Sequence, residues 1–358
     1  MIVLQACAFA APAPGNFISS LLDLEKALEK RGVKTIYAFP ERAKNLEWCK
    51  KIQKRTKVYF LPEAQARLKI STYQIFHKIY KENSVEIVHS HFELYDIPAT
   101  IMAPPNVKIF WHLHDALKEN YYKSSFTRKL LTKIQYGLVG KHATLLSVSK
   151  EHALFAEMLG FDKKQIEYVP NGIQTSRIDI KQIDQSDEKS YMLMFGWEVH
   201  RKGVDILVKA IKSLEDIENL RIKIVGQDEC ESYLLQENTS KVLQFSRPVS
   251  DINELYKEAV AFIHISRAEG LSYALLEAIY AGLPIICSDI PENLFAQEFK
   301  NVIWIRNESV DDLKEALLTI SSEAFEIQQS DIAYNRELIE KEYSVISWTE
   351  RIQNYYFL

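Results

Sequence analysis

The sequence predicts an α/β protein of two doubly wound parallel sheets in tandem, with a ligand cleft where the carboxyl ends of their strands face each other. Three observations carry this. Short apolar runs alternate with amphipathic helical stretches from the first residues onward, as in βαβ units whose strands are covered on both faces. The alternation stops at a polar, strongly charged stretch, 174–189, and then restarts. The chain has 358 residues, too many for one ordinary core and enough for two of about 170 each.

The elements follow in order. Apolar runs too short for helices and rich in Val, Ile, Leu and aromatic residues mark first-half strands at 2–6, 35–39, 58–61, 87–90, 108–113 and 145–148. Apolar residues at helical spacing predict helices at 17–31, 66–82 and 126–140. After the restart, strands are expected at 191–195, 221–225 and 242–245 and a helix at 204–214. The first domain is thus expected to span 1–173 and the second 174–344.

The most informative stretch is 269–289, EGLSYALLEAIYAGLPIICSD. It follows a strand at 260–265, continues as a helix at 272–281, closes at Gly282 and leads into a strand at 284–287. Between Gly270 and Ser288 a single charged residue, Glu277, interrupts apolar and small residues. A carboxylate in such a run needs a partner, because losing its hydration costs several kcal/mol. A ligand could be that partner, and the helix N-terminus would point N–H groups at an anion such as a phosphate.

Charge is distributed unevenly. Residues 1–175 carry 25 Lys/Arg against 16 Asp/Glu and residues 176–358 carry 19 against 32, so the halves stand at about +9 and −13 within a net charge of −4. The basic half is expected to face something anionic, a membrane surface or a phosphorylated acceptor. No run of about 18 apolar residues occurs, and Met1 leads into a strand without a basic leader, so a cytoplasmic protein is expected. Cys7, Cys49, Cys230 and Cys287 have no paired spacing, which suggests neither disulfides nor a cysteine-rich zinc site. Neither G-x-G-x-x-G nor a Walker A sequence follows any strand, against a dinucleotide dehydrogenase or a P-loop NTPase.

Glu269 and Glu277 at Glu-x7-Glu spacing, with Gly270, Leu276-Glu277-Ala278, Gly282-Leu283-Pro284 and Ser288-Asp289, resemble the signature of retaining glycosyltransferase family 4. Further landmarks agree in order and spacing: Gly15-Asn16, the run 86–91 (EIVHSH), His112-Leu113-His114-Asp115, Ser147-Val148-Ser149, Val169-Pro170-Asn171-Gly172, Phe195-Gly196, Arg201-Lys202-Gly203 and Val225-Gly226. The resemblance spans nearly the whole chain. It implies a GT-B fold of two Rossmann-like domains, the second holding a nucleotide-sugar donor, with the helix at 345–358 crossing back onto the first.

The resemblance also implies roles. A sugar nucleotide needs a carboxylate for its ribose diol and cations with N–H groups for its diphosphate. Glu277 is placed at the ribose, Glu269 at the donor sugar, Lys202 at the diphosphate, and the amides of Gly270, Leu271 and Ser272 at the same diphosphate. The sequence departs from the family where Trp197 replaces the arginine that usually follows the glycine, leaving Arg201 as its substitute. Val249, in the loop 247–250, is a candidate contact to the base. His114 is placed at the reaction centre, and Gly15 and Asn16 at the acceptor or diphosphate. A UDP-sugar is the expected donor, a saccharide or lipid-linked saccharide the acceptor, and neither a metal nor a nucleic-acid partner is expected.

Two other readings of the residues stand beside this one. His112, His114 and Asp115, with His89 and His91 on a neighbouring strand, have spacing that suits a shared metal ion as well as a strand-end structural role. The fold implied also serves sugar-nucleotide epimerases and non-catalytic partner subunits. Finally, 118–142 carries six Lys/Arg against one Glu, interleaved with Tyr121, Tyr122, Phe126, Leu130, Leu131 and Ile134. Such a stretch either lies on an anionic bilayer or turns its apolar stripe into the core.

Overall fold

A computed structural model describes residues 1–114, 117–179, 190–214, 220–237, 242–249, 251–322 and 325–358. Asp115, Ser250 and most of the polar stretch 174–189 lie outside the described residues. The backbone divides into two units, Met1–Gly172 with Val345–Leu358, and Ile173–Ser344.

The first unit runs β1 (Ile2–Cys7), α1 (Gly15–Glu29), β2 (Lys34–Pro40), α2 (Glu47–Gln53), β3 (Val58–Leu61), α3 (Ile70–Glu82), β4 (Ile87–His91), α4 (Asp96–Met102), β5 (Lys108–Leu113), α5 (Leu117–Lys123), α6 (Phe126–Ile134), β6 (Thr144–Ser147), α7 (Lys150–Met158) and β7 (Ile166–Tyr168). Its seven strands lie in the order β3-β2-β1-β4-β5-β6-β7, all parallel. Alternate strand residues feed two cores. Leu4, Ile36 and Val88 join Phe76, Tyr95, Trp111 and Tyr136 on one side. Val3, Tyr37 and Ile87 join Phe17, Leu21 and Trp48 on the other. Burial on both faces explains why these strands are continuous apolar runs.

Two helices differ from expectation. The one expected at 66–82 begins at Ile70, because Gln65 adopts a left-handed φ of +55° and a turn occupies the residues before Lys69. The one expected at 126–140 stops being α-helical at Ile134 and continues as a π-turn, Gln135–Val139, and a 3-10 turn, Gly140–His142. Gln135 and Tyr136 are buried while Phe126, Leu130, Leu131 and Ile134 are exposed, so the apolar stripe of α6 is not core.

The second unit runs β8 (Tyr191–Phe195), α8 (Val204–Lys212), β9 (Ile222–Val225), α9 (Asp228–Glu237), β10 (Leu243–Ser246), α10 (Asn253–Glu258), β11 (Ala259–His264), α11 (Tyr273–Ala281), β12 (Ile285–Ser288), β13 (Val302–Ile305), α12 (Val310–Ser321) and α13 (Gln329–Glu342). Its six parallel strands lie in the order β10-β9-β8-β11-β12-β13. Strand residues Met192, Met194, Ile222 and Ile263 pack with Ile206, Leu207 and Leu317 of the helices.

The last helix, α14 (Val345–Phe357), follows the second unit in sequence and belongs to the first. Its Trp348, Ile352 and Tyr356 are buried in the same core as Val3, Phe17 and Phe110.

Candidate functional site

In each unit the strand order reverses once, between β8 and β11 in the second and between β1 and β4 in the first. Chain leaving the two central strands diverges there, so a crevice opens at their carboxyl ends and a ligand can enter. The candidate residues cluster at these two points.

In the second unit the loop after β8 ends at Gly203, with φ +78°. A Cβ there would stand 2.4 Å from the Ile265 carbonyl oxygen, so only glycine lets this loop lie against the end of β11. Arg267 ties the loops together. Its N–H donates to the Arg201 carbonyl at 2.8 Å, and its guanidinium grips Asp205 at 2.7 and 2.9 Å and Glu308 at 2.6 Å. Lys202 is thereby brought onto Glu269, its Nζ donating to Oε1. Arg201 Nη1 stands 3.7 Å from Glu269 Oε2, while its Nε and Nη2 hold Glu198 at 3.0 and 2.8 Å.

Lys202 and Glu269 are only 9% and 6% exposed. Burial alone would push the Glu269 carboxyl up, but Lys202, His264 and Arg201 outweigh it and hold its pKa at about 2. His264 is itself pushed down to about 4 by burial, so it is neutral at pH 7 and adds its charge only in acid, below about pH 4. The pair is thus a buried carboxylate and ammonium, both charged.

Glu277 lies in α11 at 6% exposure, and a phenol within the chain is one of its partners: Tyr256 O–H donates to its Oε2 at 3.0 Å. Gly270, Leu271 and Ser272 are buried in the turn before α11, and Ser272 Oγ caps the helix by accepting from Leu275 N–H at 3.3 Å. The structure therefore gathers Arg201, Lys202, Glu269, Gly270, Leu271, Ser272 and Glu277 at one strand-end crevice. Val249 stands apart, 39% exposed beyond the edge strand β10, with β9 between that strand and β8. Trp197 stacks on Phe195, ring centroids 5.3 Å apart, and it is Arg201 that reaches the carboxylate.

In the first unit Gly15 opens α1 with φ +55°, and nothing lies within 4 Å of where a Cβ would stand. Asn16 follows it at the half-buried start of that helix. Across the crevice, four imidazoles stack at the ends of β4 and β5. His91 sits opposite His112 in the strand register, and the ring centroids of His91 and His114 are 5.2 Å apart. His89, His91 and His112 are fully buried and His114 is 8% exposed. Burial pushes all four below the usual imidazole range, His114 to about 3, so each is neutral at pH 7. His89, His91 and His112 offer ring nitrogens within 4.8 Å of one another, the one such grouping of metal-ligand side chains among the described residues. Hydrogen bonds to neighbouring side chains already engage most of those nitrogens.

Comparison with known proteins places this geometry. The family description "Glycosyltransferase Family 4" matches residues 19–177, and "Glycosyl transferases group 1" matches residues 176–338. The chain belongs to the GT-B glycosyltransferases. Among curated relatives, the lipopolysaccharide glucosyltransferase WaaG of Escherichia coli is 27% identical over 168 residues, 42% of this chain and 45% of that protein. The putative teichuronic acid biosynthesis glycosyltransferase TuaC of Bacillus subtilis is 24% identical over 65% of this chain and 60% of its own length. The chain therefore spans about half of the curated relatives it matches. Among solved structures, Anabaena HepE in complex with UDP superposes with a TM-score of 0.77 at 14% identity, covering 99% of both chains.

Three features of the glycosyltransferase escape sequence reasoning. His264 ends an ordinary apolar strand and looks like core, yet it faces Glu269 and Lys202. Arg267 sits two residues before Glu269 and looks like a solvated loop cation, yet it holds both loops in place. Tyr256, a helix residue at apolar spacing, supplies the hydroxyl to Glu277. The signal that could have found the first two is position: each flanks the switch-point strand β11.

Proposed function

We propose that this glycosyltransferase transfers a sugar with retention of configuration, and without metal, from a UDP-sugar to a saccharide or lipid-linked saccharide in bacterial surface polysaccharide assembly. One observation carries the reading: a buried, charge-paired Lys202–Glu269 unit with Arg201 at the strand-end crevice of the second unit, followed by Glu277 buried in α11. Glu277 takes the ribose diol and Glu269 the sugar hydroxyls, while Lys202, Arg201 and the amides of Gly270, Leu271 and Ser272 take the diphosphate. The two cations supply the positive charge a divalent ion would otherwise bring, and they stabilise the charge that gathers on the leaving diphosphate. As the bond from the anomeric carbon to that diphosphate breaks, the acceptor oxygen bonds on the same face, and its proton passes to the departing phosphate. His114, Gly15 and Asn16 serve the acceptor side. HepE in complex with UDP supports the choice of base.

The experiment that tests the donor reading is calorimetric titration of UDP, GDP and ADP, with and without chelator. Tight binding of UDP, unchanged by chelator and weakened about 30-fold or more in Glu277→Ala, is expected. Binding by none of the three would sink it.

The same reading includes an anionic membrane surface on the cytoplasmic side as partner. Phe126, Leu130, Ile134 and Leu138, four residues apart, are 81, 52, 47 and 60% exposed, with Lys129 and Lys133 among them. No helix of the described residues is long and apolar enough to cross a membrane. Co-sedimentation with vesicles should rise with anionic lipid content and fall in Leu130→Ser; indifference to lipid charge would remove this partner.

A further inference from the structure

A cavity of about 1060 Å³ opens in the first unit, walled by the loops after β3 and β4, by α5 and α6, and by the first residue of the π-turn. That volume is at the upper end of the roughly 300–1,000 Å³ of small-molecule sites. His114, Gly15 and Asn16 do not line it, but Phe92 in its wall packs on His114, ring centroids 4.7 Å apart. Its backbone is unusual. Of the five non-glycine residues with positive φ among the described residues, three line this cavity: Gln65 at +55°, Phe92 at +64° and Glu93 at +54°. Side chains rarely accept that conformation, and it persists where neighbouring contacts hold it. Arg67 makes such contacts. Its Nη2 donates to the Glu93 carbonyl, its Nη1 donates to Gln135 Oε1 at 3.2 Å, and its own carbonyl accepts from the Tyr73 hydroxyl at 2.7 Å. Gln135 is buried and opens the π-turn, an irregularity frequent at functional sites.

We propose that this cavity binds a saccharide bearing a carboxylate or phosphate group, with the anion on Arg67 and the sugar hydroxyls on the amide and hydroxyl side chains of α5 and α6. The charge argument comes first. A guanidinium has five N–H groups, and the two bonds above engage it only with neutral acceptors. No carboxylate of the described residues forms an ion pair with it. Glu63, in the same wall, pairs instead with Arg42 at 2.7 Å, and the Asp96 carboxyl, which burial pushes up to about 6 against the pull of Arg67, makes no contact with it. A half-buried guanidinium held at one edge and facing open space is suited to the planar, two-oxygen edge of a carboxylate or phosphate. Arg128, exposed on α6, adds a second cation at the rim. The rest of the wall argues for a sugar rather than a lipid chain. Asn120, Ser124, Thr127 and Thr132 offer donors and acceptors to hydroxyls, while Leu94 and Leu131 offer apolar surface to the C–H face of a ring.

That this saccharide is the acceptor, reaching His114 past Phe92, rests on the proposed function; its binding does not. Saturation-transfer NMR on the full chain, with excess UDP to fill the donor crevice, compares glucose, glucuronic acid, glucose 6-phosphate and inorganic phosphate. One of the two acidic sugars should bind at least about tenfold more tightly than glucose, and which one does so names the acidic group. Arg67→Gln should abolish that preference, and Arg67→Lys, which keeps the charge, should retain part of it. Arg128→Gln, at an exposed position, should weaken the preferred sugar about threefold. Equal binding of acidic and neutral sugars by the unmodified protein overturns the proposal, as does a preference that survives Arg67→Gln. So does inorganic phosphate binding as tightly as glucose 6-phosphate, which would make the cavity an ion site without a sugar site. If Arg67→Gln does not fold, Arg128→Gln carries the test, and affinities unchanged in it overturn the proposal. If UDP itself does not bind, the donor reading fails while the sugar comparison still decides this cavity.

Discussion

The two units bury polar side chains by opposite means. In the second, charges are kept and paired: Glu269 with Lys202 and Arg201, and Asp205 with Arg267. In the first, charge is disfavoured: the four histidines are neutral at pH 7, and burial pushes the Asp96 carboxyl up to about 6, ionised at pH 7 but not in mild acid, although Arg67 and the Ser90 hydroxyl oppose it. A cluster of fixed charges is suited to a ligand that is itself charged, because its fields are in place before the ligand arrives. A neutral lattice of donors and acceptors is suited to hydroxyls, which need direction more than charge. The proposed function would use that contrast, a charged side for the diphosphate and a neutral side for the acceptor alcohol.

The largest expected effect tests the charged side. Lys202→Ala leaves Glu269 buried without its cation and should cost about 3–5 kcal/mol of stability in denaturant unfolding. Lys202→Met combined with Glu269→Gln, which removes both charges at once, should cost much less than Lys202→Ala alone. If the double variant costs as much as Lys202→Ala, the pair is not the organising contact described here. On the neutral side, Gln5→Leu should cost only about 1–3 kcal/mol, the penalty for neutral partners left unsatisfied.

Acid separates the units by the pH at which each weakens. The Glu269 carboxyl lies below its ordinary value of 4.5, so its contribution is complete above about pH 4.5 and is lost as pH falls toward 2. The Asp96 carboxyl lies above its ordinary value of 3.8, so its burial costs stability that is recovered as pH falls through 6 toward 3.8. The four buried histidines of the same unit are held below 6.5 and outweigh it, each costing stability as pH falls below 6.5, so hydrogen exchange at pH 7, 5 and 3 should show the first unit losing protection relative to the second between 7 and 5. Below pH 4.5 the second should lose protection around β11. Parallel losses in both units would break the contrast. The smallest effect belongs to α6, where Leu130→Ser should change the thermal midpoint little, because that side chain is 52% exposed.

Much of the fold was legible because doubly wound sheets write themselves as repeated apolar runs, and the strands at 58–61, 108–113 and 191–195 stand where expected. Helix limits were less legible. Nothing in the apolar spacing of 126–140 distinguishes an α-helix from one that opens into a π-turn, since one extra residue per turn only shifts which side chains reach the core. Glu277 stood out because charge in small-residue and apolar surroundings is costly, and Glu269 and Lys202 through the family resemblance. Arg267 and Tyr256 did not, because their importance lies in what they hold, and a sequence shows spacing without partners. The histidines were visible as pairs on neighbouring strands. Gln5 and Tyr356, which join them, lie 351 positions apart.

That separation has a consequence for how the chain is made. Synthesis runs from Met1 onward, and domains ordinarily complete themselves as they emerge. Here the first unit cannot close early, because Trp348, Ile352 and Tyr356 fill its core and are made only after the whole second unit. The second unit, continuous from Ile173 to Ser344, can finish before it. Until α14 arrives, the apolar face that Trp348 and Tyr356 cover is open to water. A ribosome stalled short of residue 345 would carry a complete second unit and a first unit with its core exposed.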